Sequence, residues 1–135
     1  MPPKLLSFFA ALFLLAAPSV SFAATDEEKA VTEGAERVMA EQLKTLYLGH
    51  TIVGDTPKGY KYRTPVQADG TIPANKRRGA GKLLISEKDE ACMQFPELWD
   101  GKPMCWRVYE VGKGLYKTFK ANGALSANVT FEPLK

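Results

Sequence analysis

Histidine and cysteine are scarce in this chain: one His and two Cys among 135 residues. A structural zinc site draws on several such ligands together, so this content excludes the common zinc folds. The two cysteines, Cys92 and Cys105, lack the C-x-x-C spacing of a redox pair. A one-sided charge is also missing, with 18 basic against 15 acidic residues and a formal net charge of +3. Such near balance lacks the basic excess of a nucleic-acid binder. No G-x-S-x-G surrounds Ser86 or Ser126, and no acidic calcium loop occurs. The acidic residues of the C-terminal two thirds fall mostly in turn-like segments, where they serve turn chemistry, and nothing singles out a pair for glycoside hydrolysis.

Long apolar runs are limited to Leu5–Ala17, about 13 residues against the ~20 that a membrane-spanning helix needs. Lys4 precedes the run and the small-residue site Ser21-Phe22-Ala23 follows it. That order predicts a secretory signal peptide over residues 1–23, cleaved after Ala23. No cysteine stands where a lipid would be attached. The expectation is a periplasmic or secreted mature chain of roughly 112 residues, without a transmembrane anchor and long enough for one domain, 24–135. In an oxidising compartment Cys92 and Cys105 read as a structural disulfide. Closing a loop of about 14 residues stabilises a fold by roughly 3 kcal/mol on the chain-entropy argument.

Thr25 to Tyr47 carries helical periodicity, with Val31, Ala35, Val38, Met39, Leu43 and Leu46 at three- and four-residue steps. Thr25 and Glu28 are spaced as a capping box, while Gly34 weakens the first half and moves the expected start of ordered helix toward Ala35. Gly49 supplies a stop. Beyond it the period changes to two. Tyr60, Tyr62 and Thr64 alternate with Lys61 and Arg63, and Leu125, Ala127, Val129 and Phe131 alternate with polar residues. Further strands are predicted at 51–53, 71–74, 81–86, 91–95, 104–111 and 115–120. Asp69-Gly70, Asp100-Gly101, Gly112-Lys113-Gly114 and Asn122-Gly123 are the expected turns. The fold class is therefore α+β, mainly β: an N-terminal helix followed by a 7–8-strand antiparallel meander, as a curved sheet or small barrel, with one disulfide.

Few residues announce chemistry. His50, the sole histidine, would serve a small hydrolase as general base, yet no motif places a nucleophile beside it. Lys76-Arg77-Arg78 is the densest basic cluster, readable as a solvated loop or as a clamp for an anionic glycan, a lipid headgroup or an acidic protein surface. Trp99 lies in a proline-bounded excursion, Pro96 to Pro103, where it is either core or an exposed anchor. No cofactor or metal is expected.

The set Gly49-His50-Thr51, Gly59-Tyr60-x-Tyr62 and Asp69-Gly70-Thr71, with Cys92…Trp99-Asp100-Gly101-Lys102…Cys105, resembles small exported proteobacterial proteins of a domain-of-unknown-function family. The resemblance implies a periplasmic compartment and a disulfide-bearing domain, and transfers no catalytic residue. The reading that follows is a non-enzymatic binding module for a cell-envelope ligand or protein, with Trp99, Lys76, Arg77 and Arg78 as its contacts. An inhibitor or immunity protein against an envelope hydrolase or toxin is the alternative, and a hydrolase built on His50 the least supported. For the native protein, no thiol should react with iodoacetamide until a reductant is added; stoichiometric labelling beforehand contradicts the disulfide.

Overall fold

A computed structural model describes residues 23–135, so the predicted secretory leader lies outside the described residues apart from Ala23. Among the described residues no helix is long and apolar enough to cross a membrane. The elements in order are α1 (Asp26–Thr32), β1 (Glu36–Arg37), α2 (Ala40–Tyr47), β2 (His50–Asp55), β3 (Lys61–Val66) and β4 (Thr71–Ile72). These are followed by β5 (Gly81–Ile85), β6 (Ala91–Gln94), a 3-10 turn (Trp99–Gly101), β7 (Met104–Gly112), β8 (Leu115–Phe119) and β9 (Leu125–Pro133).

The single helix predicted over 25–47 is two helices separated by a short strand. Thr25 does cap the first, accepting from the Glu28 amide at 3.1 Å, so helix begins at Asp26 rather than near Ala35. Gly34 then turns left-handed at φ +97°, and the Ala35 and Gly34 amides reach back to the carbonyls of Ala30 and Val31. This is a Schellman stop, and it overrides the apolar periodicity. Val31 and Met39, assigned to the apolar stripe, are half exposed; Ala30 is the buried residue of α1. The chain between the helices instead pairs with β7, Arg37 opposite Tyr109. The start of α2 has no side-chain cap of its own. Asp89, in the β5–β6 turn, accepts from the Ala40 amide at 2.8 Å, while Arg37 donates to the Lys88 and Asp89 carbonyls.

The predicted meander is present and curls almost fully round. The sheet order is β3-β2-β9-β8-β7-β6-β5-β4, each neighbouring pair antiparallel, so β2 to β9 form a nearly closed eight-stranded barrel with its seam between β3 and β4. Closure comes from β2 and β9, in register from His50–Pro133 to Asp55–Asn128. Alternation places Ile52, Val66, Leu83, Val108 and Val129 inside, where Leu43 and Tyr47 of α2 join them. Helix α2 thus plugs one end of the barrel.

Helix α1 covers the outer wall. Ala30 packs on Tyr109 and Phe119, with Leu125 beside them. A register shift between Thr118 and Phe119 explains why Leu125 leaves the inward series that Ala127 and Val129 keep. Tyr60 also departs from its predicted strand and is 70 % exposed in the β2–β3 loop. Cys92 and Cys105 face each other across β6 and β7 and are joined by the predicted disulfide.

One ion pair fastens α1 to this wall. Arg107 donates to both oxygens of Glu27, at 2.6 and 2.7 Å, and the Tyr109 hydroxyl donates to Glu27 at 3.0 Å. The Arg107 and Tyr109 hydrogen bonds hold the Glu27 carboxyl below the usual carboxylate range, against the opposing effect of burial. A lowered folded-state pKa adds stability that is complete above the unfolded value and is lost as the pH falls through the folded one. Glu27→Gln should therefore cost roughly 1–2 kcal/mol in urea unfolding near neutral pH, a charged hydrogen bond being replaced by a neutral one. The difference from the parent protein should shrink as the pH falls below the usual carboxylate range and the Glu27 carboxyl takes up its proton. A penalty that persists in acid would assign the loss to packing.

Candidate functional site

With α2 plugging one end, the loops joining β2 to β3, β4 to β5, β6 to β7 and β8 to β9 gather at the other. Between them a cavity of about 270 Å³ runs down the barrel axis. Tyr47 forms its floor, Ile52, Thr64, Met93, Thr118 and Val129 its walls, and Tyr62, Arg78, Leu98 and Trp99 its mouth.

Two inward-facing glycines help keep this lumen open. A Cβ at Gly54 would overlap the ring of Tyr62, and one at Gly81 would overlap the ring of Phe95. Lacking side chains, both positions let an aromatic ring lie flat against the barrel wall. Phe95 in turn meets Trp99 edge-on at 6.0 Å between ring centroids, and Trp99 meets Trp106 at 6.2 Å. Both tryptophans of the chain therefore line the cavity.

The Trp99 loop is held in a demanding conformation. Trp99 and Asp100 are left-handed at φ +53° and +57°, a strained state for residues other than glycine. Gln94 clamps the loop by donating to the Gly101 carbonyl at 2.8 Å, and the Gly101 and Lys102 amides turn back to Leu98 and Trp99. Trp99 remains 40 % exposed at the rim.

Arg78 also lines the mouth. Asn75 organises its loop, its side-chain oxygen accepting from the Arg77 and Arg78 amides at 2.8 and 2.9 Å. The Arg78 guanidinium stacks 4.5 Å from the centroid of Phe95 and donates to the Pro73 carbonyl at 3.1 Å. It forms no ion pair among the described residues. Burial alone pushes its pKa down from the usual guanidinium range.

Among the described residues no carboxylate lines the lumen. Its walls carry the hydroxyls of Tyr47, Thr56, Tyr62, Thr64, Thr118 and Ser126, joined by the indoles of Trp99 and Trp106 and by Arg78 at the mouth. Burial raises the pKa values of Tyr47 and Tyr62 above the usual phenol range, so both are neutral and able to donate.

Of the four contact residues predicted from sequence, Arg78 and Trp99 share this mouth, while Lys76 and Arg77 are exposed outside it. His50 lies away from the cavity on β2, its Nδ1 3.1 Å from the Leu48 carbonyl oxygen. The lumen-lining Thr64, Met93, Thr118 and Ser126 escaped sequence reasoning. Alternation beside Tyr62 was the one signal available for Thr64. Among the described residues no group of three or more His, Cys, Asp or Glu is placed to hold a metal. A wider hollow of about 740 Å³ lies against the β2-β3-β7-β8-β9 wall, but Lys61, Arg63 and Lys117 edge it. It lacks the ring of aromatic side chains that frames the lumen.

No protein-family model, curated protein or solved structure matches the chain.

Gly81→Ala tests the wall. It should displace Phe95, lower stability by about 1–3 kcal/mol as overpacking does, and shift tryptophan emission through Trp99. Unchanged emission and unfolding midpoint would show that the ring tolerates the added methyl.

Proposed function

We propose that this chain is a non-enzymatic binding module of the cell envelope that takes a small, largely apolar molecule into its barrel lumen through the loop-bearing end. The observation that carries the reading is the lumen itself: open space framed by aromatic rings, two of them accommodated by glycines, with hydroxyls set into the walls. Small-molecule sites have this composition, an apolar enclosure with a few placed polar groups. At about 270 Å³ the cavity lies just below the range usual for drug-sized ligands and suits a compact guest. The disulfide and the leader-like N-terminal sequence support a periplasmic or secreted site of action.

An inhibitor that offers Trp99 to an envelope hydrolase fits the exposure of that ring, but leaves the lumen without a use. The two readings separate with aminoanthracene, a small neutral dye whose emission rises in apolar surroundings. The parent protein should bind one equivalent and transfer energy to it from Trp99 and Trp106. Thr64→Phe, which fills the lumen, should abolish binding while circular dichroism stays unchanged. Val53→Phe, outside the lumen-lining set, should leave binding intact. Equal dye binding by the parent and Thr64→Phe, or none by the parent, would overturn the lumen as the site.

A further inference from the structure

Arg78 brings a guanidinium to the mouth of an otherwise uncharged lining. We propose that the guest is a small aryl carboxylate, its ring enclosed by the lumen and its carboxylate held at the mouth by the Arg78 guanidinium. This rests on the lumen being the binding site and adds the chemistry of the ligand.

The argument begins with the state of that side chain. A guanidinium carries five N–H donors in a planar fork. Arg78 commits one nitrogen, Nη1, to the Pro73 carbonyl and places its face over Phe95. The remaining donors have no protein acceptor among the described hydrogen bonds. The group is also partly withdrawn from water, and the Glu97 carboxylate beside the neighbouring Gly79 forms no ion pair with it. Desolvating a charge without a counter-charge is unfavourable, and an incoming anion offsets that cost. A structural arginine would ordinarily be paired, as Arg107 is with Glu27 and Arg63 with Glu132. Arg37 also lacks a carboxylate partner but is tied to the two carbonyls of the β5–β6 turn, whereas Arg78 is the unpaired arginine at the mouth of the lumen.

The position is prepared before any ligand arrives. Asn75 fixes the turn that carries Arg78, and Phe95 fixes the plane of its guanidinium. Little side-chain freedom remains to be lost on binding, which favours affinity. Planar, bidentate recognition of a carboxylate is the geometry arginine suits best. Below it, edge-on rings at Phe95, Trp99 and Trp106 favour a second aromatic ring over a flexible chain. Among the described residues no Asp or Glu lines the lumen to repel an anion, Glu97 lying outside it by Gly79. The neutral hydroxyls of Tyr47 and Tyr62 add donors rather than negative charge.

The test compares hydrocinnamate with its neutral amide, hydrocinnamamide, by quenching of Trp99 and Trp106 emission. The parent should bind the carboxylate roughly 10- to 100-fold more tightly than the amide, the ratio expected of a charge-assisted hydrogen bond. Arg78→Gln should remove that preference and leave amide affinity within about twofold. Arg77→Gln, on the exposed neighbour, should keep it, since screened surface charges contribute little. Equal affinity of the parent for the two compounds overturns the inference, as does a preference that survives in Arg78→Gln. A parent that takes aminoanthracene but not hydrocinnamate also overturns it, leaving the lumen as a neutral site. A parent that takes neither overturns the lumen reading itself.

Discussion

The ladder between β2 and β9 is the constraint on which the molecule depends. It joins the first and last strands of the barrel over the registers His50–Pro133 to Asp55–Asn128. Without it, β2 and β3 would be a detached hairpin, and β4 to β9 an open sheet with one apolar face bare to water. Neither fragment buries its inward side chains. Once the ladder forms, Ile52 and Val129 become neighbours in one core and α2 acquires a rim to plug. The small β4 and the unladdered seam beside β3 are tolerable because the rest of the ring is continuous.

The same closure positions the chemistry. Tyr62 comes from β3, Arg78 from the loop after β4, Phe95 and Trp99 from the excursion after β6, and Trp106 from β7. These residues are remote in sequence yet meet around one opening. Fixed backbone does most of the arranging. The disulfide pins the two strands from which the Trp99 excursion springs, and Gln94 ties down its far side. Asn75 does the equivalent for Arg78. The two halves of the mouth are thereby built on separate rigid footings, bridged by the stack of Arg78 on Phe95.

The strands were the legible part of the sequence, because alternation and turn residues are local signals. The predicted segments at 81–86 and 104–111 sit within one residue of β5 and β7. The helix was misread because a period of three to four residues continues across Gly34, whereas backbone freedom at that glycine ended the turn first. Nor does alternation say which residues border open space. In a barrel with α1 laid on its outside, both faces of β7 and β8 are partly covered, so Tyr109 and Phe119 look as interior as Val108. The mouth was half visible. Trp99 and Arg78 stood out as aromatic and basic residues in loops, but nothing distinguished Arg78 from Lys76 and Arg77 until the turn at Asn75 aimed it inward.

A ring that shuts with β9, the last of its strands in chain order, also sets a timetable. Local pairings such as β5 with β6 need only short loops, while the β2–β9 ladder joins segments some 78 residues apart in the chain, and such distant contacts form late. Any machine that delivers this polypeptide N-terminus first, whether a ribosome or an export channel, must release its tail before the hoop can be fastened. Until then the protein is an unsealed strip with its greasy side showing. Chaperones should find their opportunity in that interval, and clipping the last strand should be far more damaging than trimming the first helix.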